Sequence, residues 1–341
     1  IWLSIFLILL DFSYIAGLFY TGSTDYGYYK TFRFIIYTNW SFFGSVLCIT
    51  NHASMKRFAW AGIICALCMA VLALMSYPGI GVIRTLFIQG TNYIGLSRIC
   101  GFGLLSILVY LLPIEPNYWR RKTFWIFILI LFLALMISGS RGPLIATIVS
   151  LILFFLLSIR KIYPSLIIER FALFLGFFCF FVGFILSFIG KRYFTTLFYR
   201  FEKILNNVDN SASTRLSLYQ SAINQWTYSP IWGGGPGQFG VTFTGEDIEL
   251  YPHNIFLEIA SENGLFGLIP FCAMLGIAIK NGLSYVYSYD RSTKIVARYL
   301  LVMFCYTLLN AMISDDIPGN SLLFAIIGLL GVINHFKNDD N

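Results

Sequence analysis

Three polar groups in this sequence have the side-chain types and settings that chemistry needs. The stretch YPHNIFLEIASENGLFGLIPF, residues 251–271, opens an otherwise apolar run with an imidazole. Pro252 suits the first helical position, which puts His253 in the first turn, where unpaired N–H groups and the helix dipole disfavour an imidazolium. A histidine kept neutral near neutral pH accepts protons, and a positioned base of this kind accelerates a reaction by roughly 10²–10⁴. Asn254 adjoins it, to orient the ring or bind substrate. Glu258 and Glu262 are four residues apart and share one helix face, where they pair with an arginine or touch substrate. The structural alternative is a histidine that only hydrogen-bonds at a membrane interface.

The other two groups are arginines. In SGSRGPL, residues 138–144, Gly139, Gly142 and Pro143 reverse the chain tightly between two apolar runs and hold Arg141 at a membrane boundary. An arginine costs about 2.5–3.5 kcal/mol at the bilayer centre and less toward its surface, so Arg141 has a partner or anchors the hairpin to lipid phosphate. In STRLSLYQSAINQWTYSPIWGGGPGQFG, residues 213–240, Ser213 or Thr214 is a candidate helix cap. Leu216, Tyr219, Ile223 and Trp226 or Thr227 recur at helical spacing, so this helix lies flat against the bundle or the membrane. Arg215 then sits near a helix N-terminus, the wrong end for a cation, and a bound anion supplies a reason for it. The run Gly233, Gly234, Gly235, Pro236, Gly237 follows no strand and is not a nucleotide fingerprint; it is a bent connection whose exposed N–H groups face a ligand. Arg84 and Arg98, in GVIRTLFIQGTNYIGLSR, either extend the anion site or snorkel as anchors.

The elements that must position these groups are membrane helices. Of 341 residues 58% are hydrophobic and 11% charged, with a mean hydropathy of +0.76. That composition, with repeated long apolar runs, excludes a soluble globule and predicts an all-α polytopic membrane protein. Runs of about 17–22 apolar residues predict roughly ten spans, near 1–20, 34–50, 58–76, 93–112, 123–138, 143–159, 171–189, 264–280, 299–313 and 319–336. Ile1 already lies inside an apolar stretch, so the sequence reads as starting within its natural chain. The formal charge of +7 is not a nucleic-acid signal, because Lys and Arg cluster in short connections, as orientation signals do. Cys48, Cys65, Cys68, Cys100, Cys179, Cys272 and Cys305 all fall in apolar segments and read as small hydrophobes, the Cys65–Cys68 pair included.

Positive charge sorts the loops. Lys56 with Arg57, Arg120 to Lys122, Arg160 with Lys161 and Arg170, and Arg291 with Lys294 and Arg298 occupy every second connection, which makes those connections cytoplasmic. The Ser138–Gly142 turn, the long loop 190–252 and the Asp315–Asp316 turn then share the outer face. His253 belongs to that face, whereas His52 and His335 belong to the other. The expected division is an N-terminal bundle 1–189, an outer loop 190–252 containing helices, and C-terminal helices 253–341.

In this order and on one face, the pieces resemble the bacterial O-antigen ligase and O-antigen polymerase superfamily. His253, Asn254, Leu257, Glu262, Gly264 and Gly267 match its C-terminal pattern; Arg215, Trp226, Pro230, Gly233 and Gly235 match the upstream helix and glycine cluster; Ser140, Arg141 and Gly142 match its hairpin. The resemblance covers residues 138–267. It implies an inverting membrane glycosyltransferase of the GT-C type, with about twelve helices where the sequence gives ten, in the bacterial inner membrane with its active site facing the periplasm. It would transfer a glycan from an undecaprenyl diphosphate carrier to an acceptor sugar hydroxyl, with no nucleotide sugar, cofactor or metal. Carried over, Arg141 and Arg215 hold the diphosphate and His253 is the general base. The acceptor is lipid A core for a ligase in lipopolysaccharide biosynthesis, or a second lipid-linked glycan for an O-antigen, capsule or exopolysaccharide polymerase. The His-Asn-x-x-Leu and Ser-Arg-Gly blocks favour the ligase.

Two other classes stand beside this one. A flippase or carrier would bind the same diphosphate without chemistry, but needs polar groups spread along a path, and here they gather on one face. A metal-dependent transferase would use Asp315 and Asp316 as oxygen ligands, where the simpler reading is a solvated acidic turn.

Overall fold

The computed structural model describes residues 1–75, 93–158 and 210–337. The span near 171–189, the first part of the outer loop and Arg84 lie outside the described residues. Among the described residues every predicted span is helical and no strand occurs. The protein is membrane-embedded: among the described residues five helices are long and apolar enough to cross a bilayer, namely His52–Met75, Tyr93–Ile114, Arg141–Ser158, Ile255–Tyr285 and Arg291–Ala311, and two shorter apolar helices are Trp2–Gly17 and Pro318–Gly331.

The chain groups into two compact units, residues 1–58 with 210–341 and residues 59–209. In the first unit, α1 (Trp2–Gly17) leads to α2 (Asp25–Arg33), which a π turn at Phe34–Thr38 joins to α3 (Asn39–Cys48). After the start of α4 (His52–Met75) the unit resumes with α8 (Asn210–Tyr228), α9 (Gln238–Thr244), α10 (Ile255–Tyr285), α11 (Arg291–Ala311) and α12 (Ser321–Gly331). Between them the second unit holds α5 (Tyr93–Leu105), α6 (Tyr118–Ile137) and α7 (Arg141–Ser158). There α5 packs on both α6 and α7. Gly103 lets α5 come close to α4 and α6, since a Cβ on it would meet Ala66 at 2.7 Å and Leu131 at 3.2 Å.

The first unit has two distinct ends. At one, His52 Nε2 meets the Phe336 carbonyl at 2.9 Å and Thr293 Oγ1 donates to the same oxygen at 3.0 Å, beside the cationic first turns of α4 and α11. The 21 residues of α11 then span about 30 Å to the turn that carries Asp315 and Asp316. His253 lies at that far end, because Asp315 acts on its titration.

Helix α10 is broken at Gly264, whose backbone (φ 60°, ψ −157°) no other residue adopts without strain. The break parts two rungs of the helix ladder: Leu265 and Phe266 lose the carbonyls of Ser261 and Glu262. A buried backbone group left without a partner is costly, above all at membrane depth. The connection 230–235 supplies all four partners. Leu265 N–H donates to the Pro230 carbonyl at 2.9 Å and Phe266 N–H to Ile231 at 3.0 Å, while Gly234 and Gly235 N–H donate to Ser261 and Glu262, each at 2.8 Å. Close approach is what the glycines are for, since a Cβ on Gly233 would sit 2.4 Å from the Glu262 carbonyl. We expect Gly264→Ala, whose Cβ would fall 2.3 Å from the Ile231 oxygen, to destabilise the fold by at least about 1–3 kcal/mol; a lowered thermal midpoint in detergent checks this.

Candidate active site

The helix starts three residues later than the sequence suggests, and His253 stands one residue before its cap. It is not in the first turn of a helix: α10 begins at Ile255, and Asn254 is its cap, the side-chain oxygen accepting from Phe256 N at 3.0 Å and Leu257 N at 3.2 Å. Asn254 wins the position because its amide oxygen reaches the orphan donors, which the Pro252 argument overlooked. His253 therefore lies outside the helix in a left-handed backbone state, φ 57°. Its half-buried ring packs edge-on against Tyr251, centroids 4.6 Å apart. The His253 pKa is lowered, and not by a helix dipole. Burial lowers its pKa most, the Arg215 guanidinium lowers it further, and Asp315 opposes both.

Arg215 is thus the charge with the largest effect on His253. It is half-buried on α8, which begins at Asn210 rather than at a Ser213 or Thr214 cap. The stripe facing the protein also differs: Leu218, Ala222 and Gln225 are buried, while Leu216 and Ile223 are exposed. Leu218 and Ala222 pack on Phe239 of α9, with Leu250 and Leu257 alongside. Gln225 Nε2 donates to the Ser261 carbonyl at 3.1 Å and so ties α8 to the break in α10. A polar residue on the buried face is what the apolar periodicity could not register.

The glycine cluster does not offer its N–H groups to a ligand. Gly233 donates to Ser229, and Gly234 and Gly235 to the carbonyls freed by the broken helix. The Asp315–Asp316 turn is likewise not a solvated pair, because Asp316 is only 2% exposed. Its carboxylate accepts from Arg33 at 3.1 Å, from the Tyr26 hydroxyl at 3.3 Å and from Gly319 N at 2.9 Å.

Glu258 and Glu262 share a face as predicted, and their cation is a lysine rather than an arginine. Lys30 Nζ lies 2.6 Å from Glu258 Oε1 and 2.7 Å from Glu262 Oε2, with all three side chains fully buried. Glu258 Oε1 also accepts from Ile317 N at 3.2 Å. Lys30 and Arg33 are the residues the sequence reading missed. One signal was present: both cations fall in the connection after the first span, which the loop alternation assigns to the outer face, where positive charge is disfavoured and needs a reason.

Arg98 and Arg141 belong to the second unit and are half-buried there. Ser97, beside Arg98, is hydrogen-bonded to Ser138 of the hairpin that carries Arg141, and the Ser138 oxygen also accepts from Ser140 N. The hairpin is thereby fastened to α5.

Residues 125–272 match a family model described as O-antigen ligase, a stretch that includes Arg141, Arg215 and His253. No curated protein matches the chain.

The titration of His253 is the measurable signature of this geometry. Removing a nearby cation favours the imidazolium, so Arg215→Ala should raise the His253 pKa. Removing a nearby anion does the reverse, so Asp315→Asn should lower it. The pH dependence of diethyl pyrocarbonate modification at His253, read by peptide mass spectrometry, distinguishes the two directions.

Proposed function

We propose, for a chain that belongs through residues 125–272 to the O-antigen ligase and polymerase superfamily and whose role in O-antigen assembly is of ligase or polymerase type, that it is an inverting glycosyltransferase of the GT-C type. It transfers a glycan from an undecaprenyl diphosphate carrier to an acceptor sugar hydroxyl at the periplasmic face of the inner membrane. The observation that carries this reading is the neutral His253 coupled to the Arg215 guanidinium.

A sugar hydroxyl is a poor nucleophile until its proton has somewhere to go. His253 takes that proton as the hydroxyl oxygen attacks the anomeric carbon from the face opposite the leaving group. The bond between that carbon and the diphosphate oxygen breaks, and negative charge gathers on the departing diphosphate. Arg215 stabilises it through charge-assisted hydrogen bonds, a role that suits the planar guanidinium fork and requires no metal. The family motif proposes Arg141 as a diphosphate-binding residue, and Arg98 and Arg84 are candidates by their charge alone. Asn254 spends its side-chain oxygen on the helix cap and keeps its amide N–H groups for the sugar. Glu258 and Glu262 serve the site through Lys30.

The ligase reading, with lipid A core as acceptor, takes precedence over a polymerase on the Ser-Arg-Gly and His-Asn-x-x-Leu blocks. A flippase would use the anion site alone and has no need of a depressed histidine pKa beside it.

Purified protein is to be incubated in EDTA with an undecaprenyl-diphosphate glycan and either lipid A core or a second carrier-linked glycan. Product on lipid A core identifies a ligase, laddering on the second carrier a polymerase, and no transfer to either removes the enzymatic reading. We expect His253→Ala to slow transfer by roughly 10²–10⁴ and Arg215→Ala to abolish it, both with normal membrane insertion. A protonated imidazole accepts no proton, so the rate should fall as pH drops through the His253 pKa. Because that pKa is lowered, the fall comes at more acidic pH than for an ordinary histidine.

A further inference from the structure

The described residues contain two non-glycine residues with positive φ, His253 at 57° and Asp315 at 62°. Backbone states of this kind persist only where the surroundings over-determine them, and they gather at functional sites. Both residues sit in short connections, and helix α2 supplies what holds those connections.

Tyr26, Lys30 and Arg33 recur at spacings of four and three, so they form one stripe along α2. Lys30 reaches Glu258 and Glu262 in the first turns of α10, which starts two residues after His253. Arg33 and Tyr26 reach Asp316, the neighbour of Asp315. Glu258 joins the two sets, since its Oε1 accepts both the Lys30 ammonium and the backbone N–H of Ile317. Three fully buried charges are an expensive way to hold helices together, and an apolar cluster of equal volume serves stability at least as well. What ionic contacts provide and an apolar cluster does not is a fixed register between the groups they join.

We propose that Lys30, aided by Arg33 on the same stripe, is a positioning residue that holds the His253 and Asp315 backbones in their strained states and so aims the general base. It touches neither donor nor acceptor. The inference rests on the proposed function for its catalytic consequence, but its structural half is testable without any transfer assay.

The test uses full-length protein in nanodiscs as wild type, Lys30→Met, Arg33→Gln and the triple variant Lys30→Met/Glu258→Gln/Glu262→Gln, which leaves no unpaired charge buried. Two readouts are taken: kcat and KM for the lipid-linked donor, and the rate of diethyl pyrocarbonate modification at His253 across pH. We expect the triple variant to insert normally, yet to lose about 10–10²-fold in kcat with little change in donor KM, and to show an altered modification profile at His253. Arg33→Gln should move the same two readouts in the same sense by less, so the proposal stays testable if the Lys30 variants do not fold. Wild-type kcat together with a wild-type modification profile in the triple variant, or in Arg33→Gln should the triple variant fail to insert, overturns the proposal; Lys30 then only neutralises buried carboxylates. If wild-type protein transfers nothing, the proposed function fails, and the modification profile alone decides the positioning role.

Discussion

A broken helix inside a membrane protein must have its backbone repaired by something. Here the break at Gly264 frees two carbonyls and two N–H groups, and the short connection 230–235 meets all four. Water could do this at a soluble protein's surface, but hydrocarbon offers no partners. The connection is therefore not a loose loop. It is a backbone graft, and it fixes α8 with Arg215 on one side and the first half of α10 on the other. His253 comes at the head of that half-helix, so the same four hydrogen bonds locate both the imidazole and the cation that lowers its pKa.

The second constraint is electrostatic. Five charged side chains, Lys30, Arg33, Glu258, Glu262 and Asp316, meet at one end of the first unit, and four of them are essentially buried. Each pair joins segments far apart in sequence, residues 26–33 to 258–262 and to 316. Removing either partner from such a pair leaves an uncompensated buried charge, at a cost of about 3–5 kcal/mol. The arrangement is thus intolerant of single changes. The stringency falls on the connections that carry His253 and Asp315.

Much of this was legible from residue order. Apolar runs of spanning length mark helical segments within the described residues, of which five are long and apolar enough to cross a bilayer. The pairing of Glu258 with Glu262 on one face follows from their spacing of four, and Gly264 reads correctly as a break. A neutral His253 near a cationic Arg215 was also inferable in kind. The reason assigned to it was not: a helix dipole requires the ring to be inside the first turn, and Asn254 displaces it outward by capping the helix itself. The glycine run misled in a related way. Its composition announces close approach to something, and only the fold reveals that the something is the backbone of α10 rather than a ligand.

By itself the sequence determined the all-helical membrane class, the helical course of the apolar runs and the short motifs in which Arg141, Arg215 and His253 lie. These depend on local hydrophobicity and on short motifs, which are written along the chain. Tertiary structure alone decided that Lys30 answers Glu258 and Glu262, that Arg33 answers Asp316, and that burial rather than a helix dipole chiefly keeps His253 uncharged. The two ion-pair sets join residues separated by more than two hundred positions, and a buried charge finds its partner only once helices have packed. No periodicity records that distance, because desolvation and Coulomb attraction act through space and not along the sequence.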